Sequence, residues 1–312
     1  MADFDLLVLG DANPDLVLRG GQVTPAFGQA ERLVDHAQLA VGGSGAILAC
    51  GAARLGLRVA FAGVVGDDLF GTFMREELAA RGVDIRGIAV DPHRPTGLSV
   101  ILSQLDDRAI LTSLGTIGDL RASLIDPETL ASSRHVHVSS FFLQRGLAAD
   151  LPDLFDEAHD AGLTTSVDPN WDPSEGWDGG LMDLLPQIDV FLPNEMEALR
   201  LAHISDTDEA IVRLRARAPF VVIKRGEQGS VGARTGEIVH VPSFPTSVVD
   251  TTGAGDSFDA GFLTAFLANE SLEASLRIAN ACGALASLAT GGTDAQPTMD
   301  EVRAAIERGG AA

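Results

Sequence analysis

Short β-type runs alternate with helical patterns along this chain, and no other feature restricts its folding as strongly. Strands are expected at 6–10, 58–65, 135–139, 163–168, 189–192 and 220–224. Amphipathic or small-residue stretches at 45–55, 68–81, 149–161, 195–202, 206–216, 254–268 and 272–289 are expected to be helices. Such alternation implies an α/β fold with a parallel sheet covered on both faces. Ligands in these folds sit beyond the carboxyl ends of the strands. Residues 12–40 and 96–114 break the pattern, reading as extended and partly polar. They are expected to form one small accessory sheet, placed as a lid or as a dimerisation surface on a single domain spanning 1–312. No internal repeat or low-complexity linker divides the chain. Residues 309–312 are expected to fray.

Composition narrows the partners. The 22 basic and 44 acidic side chains leave a net charge of −22. Nucleic acid and anionic membrane both require a basic footprint, so neither is an expected partner. A phosphate ligand would be repelled by the overall field, so only backbone amides, a helix N-terminus or a metal could hold one locally. The two cysteines, Cys50 and Cys282, form no CxxC pair. A disulfide framework or zinc site is not expected, and a reducing, cytoplasmic setting fits. Asp3 and Asp5 precede the first apolar run, which argues against a signal peptide. The uncharged stretch 278–293 is too short and too weakly apolar to span a bilayer.

The strongest chemical signal is the run DTTGAGDSF at 250–258, which opens the small-residue helix 254–268. Gly253, Ala254 and Gly255 leave the backbone uncovered, so their N–H groups can approach an anion. A helix N-terminus adds about half a positive charge there. Asp256 reads in two ways, as an acid capping the first turn or as a general base beside an anion hole. The second reading suits phosphoryl transfer, where donors stabilise charge on the moving group. The helix dipole is expected to keep Asp256 ionised.

Other segments carry two readings each. Asn194 and Glu197 share one helix face, as Mg²⁺ contacts held through waters or as a capping box. Gly42, Gly43 and Gly45 admit close approach of a ligand or of a neighbouring helix. Asn13 and Asp15 flank Pro14, as a turn or as hydrogen-bonding partners for sugar hydroxyls. Lys224 is the one lysine, against 21 arginines, and ends a strand. It is either solvated or set against a nucleotide phosphate. Gly226 and Gly229 read as turn residues. His135 and His137 alternate on a strand without metal-ligand spacing and read as structural or surface groups. No GxxxxGK[ST] loop and no GxGxxG occurs.

Taken together, these residues resemble the ribokinase (PfkB) carbohydrate kinases along nearly the whole length. The run 250–256 resembles the family's C-terminal signature, and Gly42-Gly43 with AARLG at 52–56 resembles the N-terminal one. GVVGD at 63–67 and NEME at 194–197 match two further segments in order and spacing. The resemblance implies a three-layer sandwich, with a mostly parallel central sheet between helices and a β-sheet lid that often pairs in dimers. It implies ATP-dependent phosphorylation of a primary hydroxyl with Mg²⁺. Asp256 would be the base and Gly253, Ala254 and Gly255 the anion hole. Asn194 and Glu197 would organise Mg²⁺. Asn13, Asp15, Gly42 and Gly43, with positions 47 and 144, would meet the sugar. Asn194, Lys224, Gly226, Gly229, Gly255 and Asn280 would line the nucleotide site. Asp250 and Thr252 would hold a monovalent cation such as K⁺.

The departures bear on substrate. Ser44 and Ile47 stand where ribokinases usually carry Lys and Asn, and Gln144 stands where they carry Glu. Losing an Asn removes up to four hydrogen-bonding sites, which counts against D-ribose itself. The stretch DPNW at 168–171 resembles a sugar-kinase segment, with Trp171-Asp172 in place of a frequent Arg. Arg94, Arg108 and Arg145 are candidate substitutes for that Arg. A nucleoside kinase on the same fold and a non-catalytic sugar or nucleotide sensor are the alternatives.

Overall fold

The computed structural model describes residues 2–20, 23–104 and 107–309. Of residues 309–312, named above as fraying, Gly309 closes the last helix and 310–312 lie outside the described residues. In chain order β1 (Leu6–Leu9), β2 (Asn13–Arg19) and β3 (His36–Gly42) precede α1 (Ser44–Arg54), β4 (Val59–Gly66) and α2 (Leu69–Ala80). Next come β5 (Asp84–Asp91), β6 (Leu98–Gln104), β7 (Asp107–Ser113), α3 (Pro127–Ala131), β8 (His135–Val138) and α4 (Leu151–Asp160). The chain continues through β9 (Thr164–Val167), α5 (Leu181–Leu184), β10 (Val190–Phe191), α6 (Glu195–Ala202), α7 (Thr207–Arg215) and β11 (Val221–Lys224). It closes with β12 (Ser230–Arg234), β13 (Glu237–Val241), α8 (Ala254–Leu267), α9 (Leu272–Ala286) and α10 (Met299–Gly309).

A nine-stranded sheet runs β13-β12-β11-β10-β9-β8-β1-β4-β5. It is parallel from β11 to β5, and the hairpin β12–β13 adds an antiparallel edge. Successive side chains on a strand point to opposite faces. Leu7 and Leu9 therefore pack with Phe155, Leu201 and Leu214 of α4, α6 and α7. Leu6 and Val8 pack with Leu48, Phe262 and Leu276 of α1, α8 and α9. Phe61, Phe155, Phe191 and Phe262 are fully buried, each worth about 1.5–3 kcal/mol of burial. Side-chain caps fix several helix starts: Asp68 accepts from Gly71 N, Asp206 from Glu209 N and Ser271 from Ala274 N. Among the described residues no helix is long and apolar enough to cross a membrane.

The lid is a separate four-stranded sheet, β3-β2-β6-β7. Its register aligns Leu39, Leu16, Val100 and Leu111 in one row across the strands. That face looks outward, with Leu39 and Leu111 exposed. The opposite face carries Asn13, Asp15, Ser99 and Ile101, all buried.

Six elements were not expected from the sequence: β5, the two strands of the β12–β13 hairpin, and the helices α3, α5 and α10. Helix α9 stops at Ala286 rather than 289, because Ser287 turns its hydroxyl onto the Ala284 carbonyl at 2.7 Å.

Candidate active site

The carboxyl ends of β1, β8, β9, β10 and β11 meet the N-terminus of α8. Gly253 sits at the head of α8 with φ 72, a left-handed conformation that favours glycine. A Cβ there would stand 2.6 Å from Gly292 Cα. Its Cβ position also lies 3.0 Å from Ile47, which is buried beneath the turn. Ala254 N donates to the Thr251 carbonyl at 3.2 Å, and Ser257 N makes the first i→i−4 bond, to Gly253 O at 2.9 Å. The amides of Gly255 and Asp256 precede that bond, as the first N–H groups of a helix do.

Asp256 does not cap the helix; the N-cap has no side-chain hydrogen bond. Nor does the dipole hold it low, as expected from the sequence. Burial and the charge of Asp168 push its carboxyl up to about 7, against the pull of Lys224 and a hydrogen bond from Ser44. Desolvation among buried acids outweighs a partial charge at a helix end.

Lys224 is buried rather than solvated. Its Nζ donates to Asp168 Oδ2 at 3.0 Å and to Asp259 Oδ2 at 2.8 Å. Burial alone would lower the ammonium, but Asp168, Asp259 and Glu197 hold it well above the usual lysine range. Burial likewise opposes the ionisation of Asp168, yet Lys224 and a hydrogen bond from Asp259 hold it below its ordinary value. Asp259 is raised by burial and by Asp168, so it is the protonated member of the pair. The lysine ammonium lies just under Gly255.

Asn194 and Glu197 form the capping box of α6. Asn194 N donates to Glu197 Oε2 at 2.8 Å, and Glu197 N to Asn194 Oδ1 at 3.0 Å. Burial and Asp168 push Glu197 up to about 8. No cluster of three or more metal-ligating side chains occurs among the described residues. The chemistry still fits Mg²⁺. Burial first, and the charge of Asp168 second, raise both Glu197 and Asp256, and a divalent cation held through waters and phosphate oxygens would favour their charged forms.

On the lid side, Asn13 Nδ2 donates to Ser99 Oγ at 3.3 Å. Asp15 is buried against Gly42, where a Cβ would meet its carboxylate at 2.1 Å. Burial, then the charge of Asp11, pushes Asp15 up to about 7. Gly43 has φ 80, and a Cβ there would meet the Asp11 carbonyl at 2.7 Å. Gln144 is fully buried, with neither amide atom bonded to a described residue.

Asp250 accepts from Thr252 N, Thr252 Oγ1 and Gly291 N at 2.8–3.0 Å. Burial would raise it, and those donors hold it below its ordinary value. Asn280 Nδ2 donates to the carbonyls of Val241 and Pro242, each at 3.2 Å, tying α9 to the end of β13. Gly226 and Gly229 have φ 54 and 87, as turn residues. His135 and His137 are buried in the sheet, bridged by Ser166 at 2.6 and 2.7 Å, so they are structural rather than surface groups.

Asp259, which holds Lys224, was not singled out from the sequence, and neither were two further contributors. Asp11, at the end of β1, accepts from Ser44 N, Gly45 N and Ser140 Oγ at 3.0–3.1 Å and so fixes the head of α1. Asn170 donates to Ser44 Oγ at 3.2 Å and Ser140 Oγ at 3.0 Å. Both are short polar residues just past a strand end, and that placement was the available signal.

A lidded α/β fold whose glycine-opened helix head faces a high-titrating carboxylate defines the class as a small-molecule kinase. The model of the pfkB family of carbohydrate kinases matches residues 3–299, and the chain belongs to that family. It is 33% identical over 303 residues to an ATP-dependent ribose-1-phosphate kinase of Halopiger xanaduensis, covering 96% of this chain and 97% of the relative. It is 32% identical to a fructokinase of Klebsiella pneumoniae, covering 85% of this chain and 91% of that one. A solved E. coli structure described as a ribokinase II, in complex with ATP and Mg²⁺, superposes with a TM-score of 0.86 at 28% identity, covering 98% and 99% of the two chains.

Proposed function

We propose that the protein transfers the γ-phosphate of ATP to a hydroxymethyl group of a carbohydrate, with Asp256 as general base. The observation that carries this reading is the carboxyl of Asp256, pushed up to about 7, in the first turn of α8 beside the Gly255 amide. A base titrating near neutral pH is well matched to taking a proton from an alcohol in the transition state. The amides of Gly253 and Gly255 would meet the charge that gathers on the moving phosphoryl group, whereas Ala254 N is bonded to the Thr251 carbonyl. Mg²⁺ held through Asn194 and Glu197 would neutralise phosphate charge. Lys224, countered by Asp168, fixes the floor under Gly255.

Asn13, Asp15, Gln144 and the Gly42-Gly43 backbone are the sugar contacts in this reading. Gln144 supports it, because a buried amide without a protein partner calls for a ligand or water. Ile47 presents an apolar edge. Asn194, Lys224, Gly226, Gly229, Gly255 and Asn280 border the nucleotide side, and Asp250 with Thr252 would meet a monovalent cation such as K⁺. The outward apolar row Leu39, Leu16, Val100 and Leu111 suits pairing with the lid of a second copy. Two free, buried thiols, Cys50 and Cys282, accord with a cytoplasmic setting.

The test is a coupled assay of ADP release over neutral sugars, sugar acids, sugar phosphates and nucleosides. ADP release with a carbohydrate is expected. Turnover confined to nucleosides would move the assignment to a nucleoside kinase, and binding without turnover would make the protein a sensor.

A further inference from the structure

We infer that the lid carries its own anion subsite, so that the accepted carbohydrate bears a phosphate or carboxylate group away from the hydroxyl that is phosphorylated. This rests on the kinase reading above and names its substrate class.

Strand register is the starting point. Arg19 of β2 stands opposite Ser103 of β6, and Ser103 stands opposite Arg108 of β7. Two strand spacings put the arginine backbones roughly 10 Å apart, with the serine between them. By the two-residue period this row lies on the face that carries Asn13, Asp15 and Ser99. Contacts with the body place that face inward. Arg19 Nη1 donates to Thr290 Oγ1. Arg108 Nη1 donates to Thr251 Oγ1 at 3.0 Å and to Thr252 Oγ1 at 3.2 Å. Two guanidinium groups and the hydroxyls of Thr251, Thr252 and Thr290 therefore border the gap between the lid and the turn that opens α8. Ser103 lies between the two arginines in the same row.

A guanidinium presents a planar fork of donors that matches the oxygens of phosphate and carboxylate, and neighbouring hydroxyls complete the shell. A neutral sugar asks mainly for acceptors and amides, which Asn13, Asp15 and Gln144 already supply. The lysine nearest the helix head is held by Asp168 and Asp259, so positive charge for a second anion comes from the lid. Of the other candidate arginines, Arg94 is bonded to Asp119 and to the Gly115 carbonyl. In a chain of net charge −22, one lid row brings two guanidinium groups to the site. Arg108 also faces Asp15 and Asp250, lowering both. The acceptor's anion would thus sit at the lid end of the sugar, with the reacting hydroxyl at Asp256.

The experiment compares ADP release by wild type, Arg19→Ala and Arg108→Ala on D-ribose, D-fructose, D-ribose 1-phosphate and 2-dehydro-3-deoxygluconate. One of the two anionic acceptors should be preferred by wild type, and which one it is decides between phosphate and carboxylate. Each substitution should lower the anionic-to-neutral ratio of kcat/KM by roughly 10–100-fold, the weight of a charged hydrogen bond. Preference for a neutral sugar, or a ratio unmoved in both variants, would overturn the subsite. If no acceptor yields ADP, the kinase reading fails instead. Calorimetric titration with D-ribose 1-phosphate and 2-dehydro-3-deoxygluconate then decides the subsite. Binding of either that is weakened by Arg108→Ala supports it, and no binding of either by wild type, or binding unmoved by that substitution, removes it.

Discussion

In the central sheet every residue of β1, β4 and β8 is buried, whereas in the lid β7 leaves residues 108–113 exposed and β3 hides only Ala40, Val41 and Gly42. The first sheet is core on both faces. The second has one exposed apolar face toward the outside and one largely buried, mostly polar face toward the site. A residue in the central sheet is therefore chosen for volume, and one in the lid for what it meets. Substitutions in the body should register as stability, and those in the lid as recognition or assembly.

Four measurements can break or sharpen that contrast. Phe155→Ala, in the body, should cost about 3–5 kcal/mol and show as a fall in denaturation midpoint. A cost near zero would mean the layer under β8 is not a packed core. Asp256→Asn should lower kcat by roughly a hundredfold or more while nucleotide still binds. Near wild-type turnover would refute the base assignment.

Asp15→Asn tests the lid through pH. Burial and the charge of Asp11 push Asp15 up to about 7 in the folded chain, against an ordinary 3.8. The folded chain holds the extra proton between those values, so its stabilising effect is full below about pH 4 and lost as pH rises through 7. The charges facing it are Asp11, Arg108 and Asp250. Asp15→Asn should therefore gain on the order of 2 kcal/mol over wild type at pH 8 and nothing at pH 4, read as thermal midpoints. His135 and His137 work with opposite sign in the body. Burial pushes both down to about 3, so the unfolded chain alone takes up protons just below 6.5 and stability falls on acidification. The smallest effect is Leu111→Ala, expected to change monomer stability by less than about 1 kcal/mol. Leu111→Arg, by contrast, should abolish self-association in sedimentation if the lids pair.

How much was legible in the sequence follows the range of the interaction involved. Helix α8 and its glycine turn were readable because a left-handed Gly253 and a small-residue stretch are local signals. Lid strands β2 and β6 announced themselves by departing from the strand–helix rhythm. The β12–β13 hairpin was missed although Thr235-Gly236, with φ 77 at the glycine, is a two-residue turn between paired Arg234 and Glu237. Strand β5 was missed because Arg86 and Gly87 interrupt its apolar pattern. In the site, Lys224 looked solvated because its partners lie 56 and 35 residues away in the chain. The same distance hid the high titration of Asp256. A dipole is visible from one helix, whereas the burial of Asp256 and its nearness to Asp168 exist only once the sheet has assembled.

The walled-in position of the single lysine has a practical corollary. Reagents that acylate primary amines find no other lysine side chain to attack, and Lys224 is shielded by the Asp168 carboxylate and the Asp259 carboxyl. Biotin or a fluorophore delivered as an activated ester should therefore attach at the N-terminal amine alone, giving a uniformly oriented sample on a sensor surface.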